Sequence, residues 1–136
     1  MNIQEAETTW APRMLSILRI VSGLVLWQFG IQKLQFPQVR PGPEFLSLIW
    51  FAGALELVLP PLLIVGFLTR PVAFILAGEM AFAYFIGHAP RSFYPSVNGG
   101  NLAILFCFVF LYLAVAGGGP RSVDEPLRRK GVRLAV

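Results

Sequence analysis

The sequence predicts an all-α membrane protein, a bundle of four transmembrane helices with both termini in the cytoplasm. Two observations predict this class. Of the 136 residues, 56% are hydrophobic and only 13% are charged, which leaves too little polar material to cover a soluble globule of this size. In addition, four apolar windows are each close to the ~20 residues that a helix needs to span hydrocarbon.

The four predicted spans lie between charged or Pro/Gly-rich breaks, at approximately residues 14–34, 45–67, 71–87 and 102–116. Helices are required because backbone polar groups in lipid must pair within the chain. The breaks leave no room for a second domain, so residues 1–136 are predicted to form one membrane domain. It ends in a basic cytoplasmic tail at 117–136.

The distribution of basic residues predicts the orientation. An even number of spans returns the chain to its starting side, and most basic residues outside the spans lie on that side, which indicates the cytoplasm. The basic tail is interpreted as a cluster resting on anionic lipid rather than as a nucleic-acid site. The residues assigned to the cytoplasmic side are Arg13, Arg70, Arg121, Arg128, Arg129, Lys130 and Arg133, against Lys33, Arg40 and Arg91 on the other.

One face of the first predicted helix carries small residues in its middle and cationic residues towards both ends. Arg19, Gly23, Gly30 and Lys33 recur at helical spacing. Small residues let neighbouring helices approach closely, so Gly23 and Gly30, with Gly53 of the second helix, are predicted packing positions. Such faces also permit a homo-oligomer.

Three ionisable residues fall inside the predicted spans: Arg19, Glu56 and Glu79. At ~1.5 Å per residue, Arg19 lies on the order of 10 Å below the cytoplasmic side and the two acids lie roughly 13 to 16 Å below it. Isolated charges at such depth are costly, so we expect Arg19 to pair with one acid or both. The cluster is either internal glue between three helices or a site that holds a proton and binds a ligand.

Candidate ligand-binding residues lie towards the opposite side of the membrane: Gln28, Gln32, Lys33, His88 and Arg91. The alternative for Lys33 is snorkelling to the interface, and the alternative for His88 is an interfacial hydrogen bond. A regular third helix would point Glu79 and His88 to opposite sides, because nine residues make two and a half turns. Pro60 and Pro61 cannot donate to the carbonyls of Glu56 and Leu57, which predicts a kink beside Glu56.

The sequence predicts no redox centre and no metal site within the chain. It contains one cysteine, Cys107, in the fourth span, and one histidine. A single cysteine excludes an internal disulfide and a CxxC relay, and one histidine is too few for an ordinary metal cluster. Electrons would therefore be carried by a bound molecule. Cys107 is expected to be an inert small hydrophobe.

Several segments together resemble the DoxX family of small four-helix bacterial membrane proteins. They are "RIVSGLVLWQFGIQKL", "GALELVLPPLLIVGFLTRPVA", "FIGHAP", "NGGNLAILF" and "AGGGPRSVDEPL". Their order and spacing carry the match. The resemblance implies a multi-pass protein of the bacterial inner membrane, associated with membrane oxidoreductase systems, some of them quinone-linked.

Carried over position by position, the family pattern selects Arg19, Gly23, Gly30, Lys33, Glu56, Gly66, Arg70, His88, Gly99, Gly100, Ser122 and Asp124. One position departs from it, because Asn101 stands where the family often has an acid after the double glycine.

Three hypotheses describe the function. The leading one is a small membrane subunit that binds a quinone-like apolar carrier or docks a soluble or membrane redox partner. The alternative is a non-catalytic module that stabilises or assembles a larger complex. A weaker alternative is a proton-coupled transporter, although the sequence lacks two halves of matching hydropathy. Whether the protein catalyses a reaction is left open.

Overall fold

The computed structural model describes residues 2–34 and 45–131. The first predicted connection, at 35–44 with Arg40, and the last residues, 132–136 with Arg133, lie outside the described residues. Every regular element in the described part of the chain is helical, which confirms the all-α class.

Five helices organise the described chain. They are α1 (Ile3–Leu34), α2 (Leu48–Val65), α3 (Thr69–Arg91), α4 (Asn101–Ala116) and α5 (Asp124–Arg129). The first three are long and apolar enough to cross a membrane, and α4 is a shorter apolar helix. The protein is therefore a helical membrane protein with three candidate spanning helices among the residues described.

Local sequence signals explain both ends of α2. At its start, the Ser47 hydroxyl accepts a hydrogen bond from the backbone N–H of Trp50 at 3.2 Å, as an N-cap serine does. The helix then runs through Pro60 and Pro61 without interruption. It ends at Gly66, whose φ of 75° lies in the left-handed region that glycine adopts without strain. A turn of three residues then leads into α3.

The helices form two antiparallel pairs. Helix α1 packs along α2, helix α3 packs along α4, and the short turn between α2 and α3 joins the pairs. Large apolar side chains that face away from these contacts, such as Phe74 and Phe108, are exposed on the outer surface, as expected for contact with lipid. The largest fully buried apolar side chains are those of Leu26, Leu63, Leu76, Phe110 and Leu113.

The bundle has two ends. The tail end is the one where α2 turns into α3 and where α4 leads into residues 117–123; the loop end carries Leu34, Leu48 and Asn101. Helix α1 begins at Ile3, before the start of the predicted membrane span at residue 14, and its N-terminal part continues past the last turn of α2. This offset between α1 and α2 along the bundle axis, which we call the stagger, determines which residues of α2 lie beside Arg19.

Candidate functional site

Arg19 lies at the tail end and binds backbone carbonyl groups. Its side chain is completely buried, at 0% exposure. Nε donates to the carbonyl of Gly118 at 2.9 Å and Nη2 donates to that of Arg121 at 2.6 Å. Nη1 donates to the carbonyls of Leu63 and Ile64. Because the last carbonyls of a helix lack partners within it, Arg19 caps α2 and attaches the tail to it.

The expected pairing of Arg19 with Glu56 or Glu79 is wrong, because its donors go to these carbonyls instead. The expected depth depends on a first helix that enters the membrane near residue 14. The stagger of α1 places Arg19 level with Leu63, seven residues beyond Glu56 along α2, or about 10 Å away along the axis. The acid whose charge acts on Arg19 is Asp124.

Asp124 caps the next helix at the same end. Its two carboxylate oxygens accept hydrogen bonds from the backbone N–H groups of Leu68 and Thr69, both at 2.8 Å, and an acid is favourable at a helix N-terminus. The backbone N–H of Asp124 donates to the carbonyl of Gly66 at 3.0 Å. A Cβ on Gly66 would lie 2.5 Å from the Cβ of Ser122, so only glycine fits beneath the docked tail.

A second group of ionisable side chains lies further inside the bundle, and we call Lys33, Glu56 and Glu79 the carboxyl cluster. Lys33 Nζ lies 2.7 Å from each carboxylate oxygen of Glu56 and donates a hydrogen bond to Oε1. The Glu56 side chain is 3% exposed and that of Lys33 is 34% exposed. Lys33 thus reaches inwards from the last turn of α1 to a buried acid on α2.

Glu79 contributes a carboxyl group without a partner. Both of its oxygens are buried and have no hydrogen bond among the described residues, whereas both oxygens of Glu56 lie 2.7 Å from Lys33 Nζ. The charges that act on Glu79 are those of Glu56 and Lys33. The cluster therefore combines two acids with one base and leaves the two buried oxygens of Glu79 unused.

The two prolines of α2 leave free carbonyls beside this cluster. Pro61 has no N–H to offer the carbonyl of Leu57, and the indole Nε1 of Trp27 on α1 donates to that carbonyl instead, at 3.1 Å. This role of Trp27 is not among the predictions from the sequence. The signal for it was present, since a proline within a helix leaves an acceptor that a tryptophan on the neighbouring helix can satisfy.

Gly30 lies directly against the backbone of Glu56. A Cβ added to Gly30 would come within 2.5 Å of the carbonyl carbon of Glu56, so the close approach of α1 and α2 at this level requires glycine. At Gly23 and Gly53 an added Cβ would meet side chains of the neighbouring helix, at 2.8 Å and 2.9 Å. All three glycines therefore lie at contacts between α1 and α2, and the contact of Gly30 is the least adjustable.

The other predicted ligand-binding residues share no hydrogen bond with the carboxyl cluster in the described part of the chain. Gln28, Gln32 and Arg91 are exposed. His88 is partly buried, and its Nδ1 lies 3.0 Å from the carbonyl oxygen of Asn98. This contact ties the end of α3 to the segment before α4.

A π-helical turn in α3 changes the relation of His88 to Glu79. Residues Ala83–His88 form this wider turn, which acts like one residue inserted into an α-helix and rotates the end of α3 by about 100°. The two side chains therefore point about 80° apart rather than to opposite sides. The condition of a regular third helix, under which the two side chains would point to opposite sides, therefore does not hold.

These features define a class: a helical membrane protein whose buried ionisable groups connect neighbouring helices. The sequence model of the DoxX family matches residues 14–89, a range that contains Arg19 and the whole carboxyl cluster. The chain belongs to the DoxX family, which confirms the resemblance seen in the sequence.

The similarity to a relative extends beyond residue 89. An uncharacterized protein of Haemophilus influenzae (strain ATCC 51907 / DSM 11121 / KW20 / Rd) is 38% identical over 128 residues, which cover 89% of this chain and 96% of the relative. No solved structure matches the chain.

Proposed function

We propose that this DoxX protein is a four-span protein of the bacterial inner membrane with both termini in the cytoplasm. Helix α4 would be the fourth span, since it is apolar and runs antiparallel to α3. The tail end would face the cytoplasm. Basic residues at that end support this orientation; they are Arg13, Arg70, Arg121, Arg128, Arg129 and Lys130.

Within the membrane, the protein serves as a small subunit of an oxidoreductase system and binds an apolar carrier with a polar head group, of the quinone class. One observation carries this proposal: the carboxyl group of Glu79 is buried with no hydrogen-bond partner among the described residues, beside the Lys33–Glu56 ion pair. Structural charges in a membrane are normally paired, whereas unpaired ones mark ligand or proton sites. The chain provides the polar contacts and the carrier provides the electrons.

The second candidate function is a non-catalytic module that assembles a larger redox complex and docks its partner. The contacts of Arg19 and Asp124 favour this candidate, because they organise the tail end into a rigid surface. In that case the carboxyl cluster would serve only helix packing.

Extraction of the purified protein separates the two candidates. The protein is isolated in mild detergent, and the co-purifying lipid is extracted and identified by chromatography and mass spectrometry. We expect an isoprenoid quinone near one equivalent per chain. A Glu79→Gln variant should lose it, whereas Glu7→Gln, the same chemical change at an exposed residue near the N-terminus, should retain it. An extract of phospholipid alone from the unaltered protein would exclude the carrier and favour the assembly module.

A further inference from the structure

The carboxyl cluster lacks hydrogen-bond donors rather than acceptors. Both carboxylate oxygens of Glu79 are buried and unpartnered in the described structure. Lys33 is the cation of the cluster, and its ammonium lies 2.7 Å from both oxygens of Glu56. Buried acceptors without donors cost free energy, so a group that completes this site has to donate.

The cluster lies close to the lipid-facing surface at Glu79. Glu79 is partly exposed as a residue, yet neither of its carboxylate oxygens is accessible. The exposed area therefore belongs to its other atoms, and the carboxyl group lies just beneath the surface of the bundle. On the preceding residue, Gly78, a Cβ would meet nothing within 4 Å. We take this outer side of α3, beside Gly78, as the side from which a ligand dissolved in the bilayer approaches the carboxyl group.

We propose that the carboxyl cluster recognises its carrier through donated hydroxyl groups, and therefore binds the reduced, hydroquinone form in preference to the oxidised quinone, with Glu79 as the principal acceptor. This inference rests on the proposed function above. A hydroquinone brings two O–H donors, and hydrogen bonds from hydroxyl groups to carboxylates are among the stronger ones in proteins.

The oxidised form fits the same atoms poorly. A quinone offers only carbonyl acceptors, and these would face the acceptor oxygens of Glu79 and Glu56. If Glu79 carried a proton, it could donate one hydrogen bond to a quinone carbonyl. Its second oxygen would still lack a donor, so one of the two unused acceptors would remain unsatisfied.

A series of three ligands of the same ring tests the inference: tetramethylhydroquinone, its dimethyl ether and tetramethylquinone. Binding to the detergent-purified protein is measured by calorimetric titration under anaerobic conditions, so that the hydroquinone stays reduced. We expect the hydroquinone to bind at least about tenfold more tightly than the ether, because the ether keeps the ring and both oxygens but has no donor. The quinone should also bind more weakly than the hydroquinone.

Two variants locate the effect. Glu79→Gln should weaken hydroquinone binding at least about tenfold, because an amide offers one neutral acceptor in place of two charged ones. It should leave ether binding unchanged, and Glu7→Gln should behave like the unaltered protein. Equal binding of all three ligands, or tighter binding of the quinone, would overturn donor recognition while leaving carrier binding in place. Hydroquinone binding unaffected by Glu79→Gln would also overturn it.

If no member of the series bound to the unaltered protein, the proposed carrier function would fail together with the inference. The ligand series alone gives this answer, so the test does not depend on the folding of a variant.

Discussion

Arg19 and Glu79 are both ionisable groups buried among apolar helices, but they differ in their partners. The guanidinium of Arg19 donates to four carbonyl groups, at the end of α2 and in the tail. The carboxyl group of Glu79 has no hydrogen bond within the described structure. Burial alone therefore does not identify a functional charge. A buried group whose hydrogen bonds are all made within the protein is structural, whereas one without such partners is a candidate ligand site.

The difference also reflects where each group lies along its helix. Arg19 lies level with the last turn of α2, where the chain itself exposes carbonyls that need donors. Glu79 lies within α3, where the helix satisfies its own backbone and the neighbouring helices offer apolar side chains. A charge at a helix end can be used by the fold, but a charge in the middle of a span has to find a partner on another helix or on a ligand.

The largest effect is expected for Arg19→Leu. The substitution removes the guanidinium hydrogen bonds to the four carbonyls, including the two that attach the tail to α1. The loss of several buried hydrogen bonds to a charged group should destabilise the protein by about 3–5 kcal/mol or prevent its folding. Thermal unfolding in detergent and proteolysis of the tail measure the effect. Arg91→Leu, at an exposed position, is the control, and equal stability of the two variants would contradict the role given to Arg19.

A smaller effect on stability is expected for alanine at two glycines, and its sign should differ between Gly30 and Gly78. Gly30→Ala would place a Cβ 2.5 Å from the backbone of Glu56, and separating α1 from α2 should cost about 1–3 kcal/mol. Gly78→Ala introduces the same group into open space and should stabilise α3 by up to about 1 kcal/mol. Unfolding temperatures of the two variants decide the matter. Equal loss in both would contradict the role given to the α1–α2 contact at Gly30.

A still smaller loss of stability is expected for Asp124→Ala at the tail end. The substitution removes both acceptors from the N-terminus of α3, and the loss of such a cap costs about 0.5–2 kcal/mol. Asp124→Asn keeps one acceptor and should recover part of the loss. Glu125→Ala removes only exposed ion pairs with Arg128 and Arg129 and should change the unfolding free energy by less than about 1 kcal/mol. A larger loss for Glu125→Ala than for Asp124→Ala would show that the tail docks through α5 instead.

The sequence was sufficient to predict the helical class, the family and the small face of α1. Gly23, Gly30 and Gly53 stand out because glycine at helical spacing within an apolar segment is typical of a close helix contact. The partners of the charges were not predictable in the same way. They depend on the stagger between helices, and neither hydropathy nor spacing determines the level at which α1 meets α2.

The same limit explains the differences at the site. Snorkelling would take Lys33 to the membrane surface. Instead, α1 and α2 pack closely where Gly30 contacts Glu56, and Lys33, one turn further along α1, forms an ion pair with that buried acid. The pairing of Arg19 with an acid is wrong because the tail, which provides two of its carbonyl partners, is 99 and 102 residues away in sequence. Glycines at turns and an acid after "GGGPRS" indicate a structured tail but give no indication of the residue that it contacts.

The smallest effect on stability is expected for Glu79→Gln. The amide has nearly the shape of the carboxyl group and carries no charge, and the described structure holds no hydrogen bond that the change would break. The unfolding free energy should therefore stay within about 0.5 kcal/mol of the original or rise, since an unpaired buried acid is itself unfavourable. Lys33→Met is the contrasting variant, because it leaves the buried acid Glu56 without its cation and should cost more. Thermal unfolding of both variants in one detergent gives the comparison. If Glu79→Gln were as damaging as Arg19→Leu, Glu79 would be an architectural residue like Arg19, and the distinction between paired and unpaired charges would not identify the site.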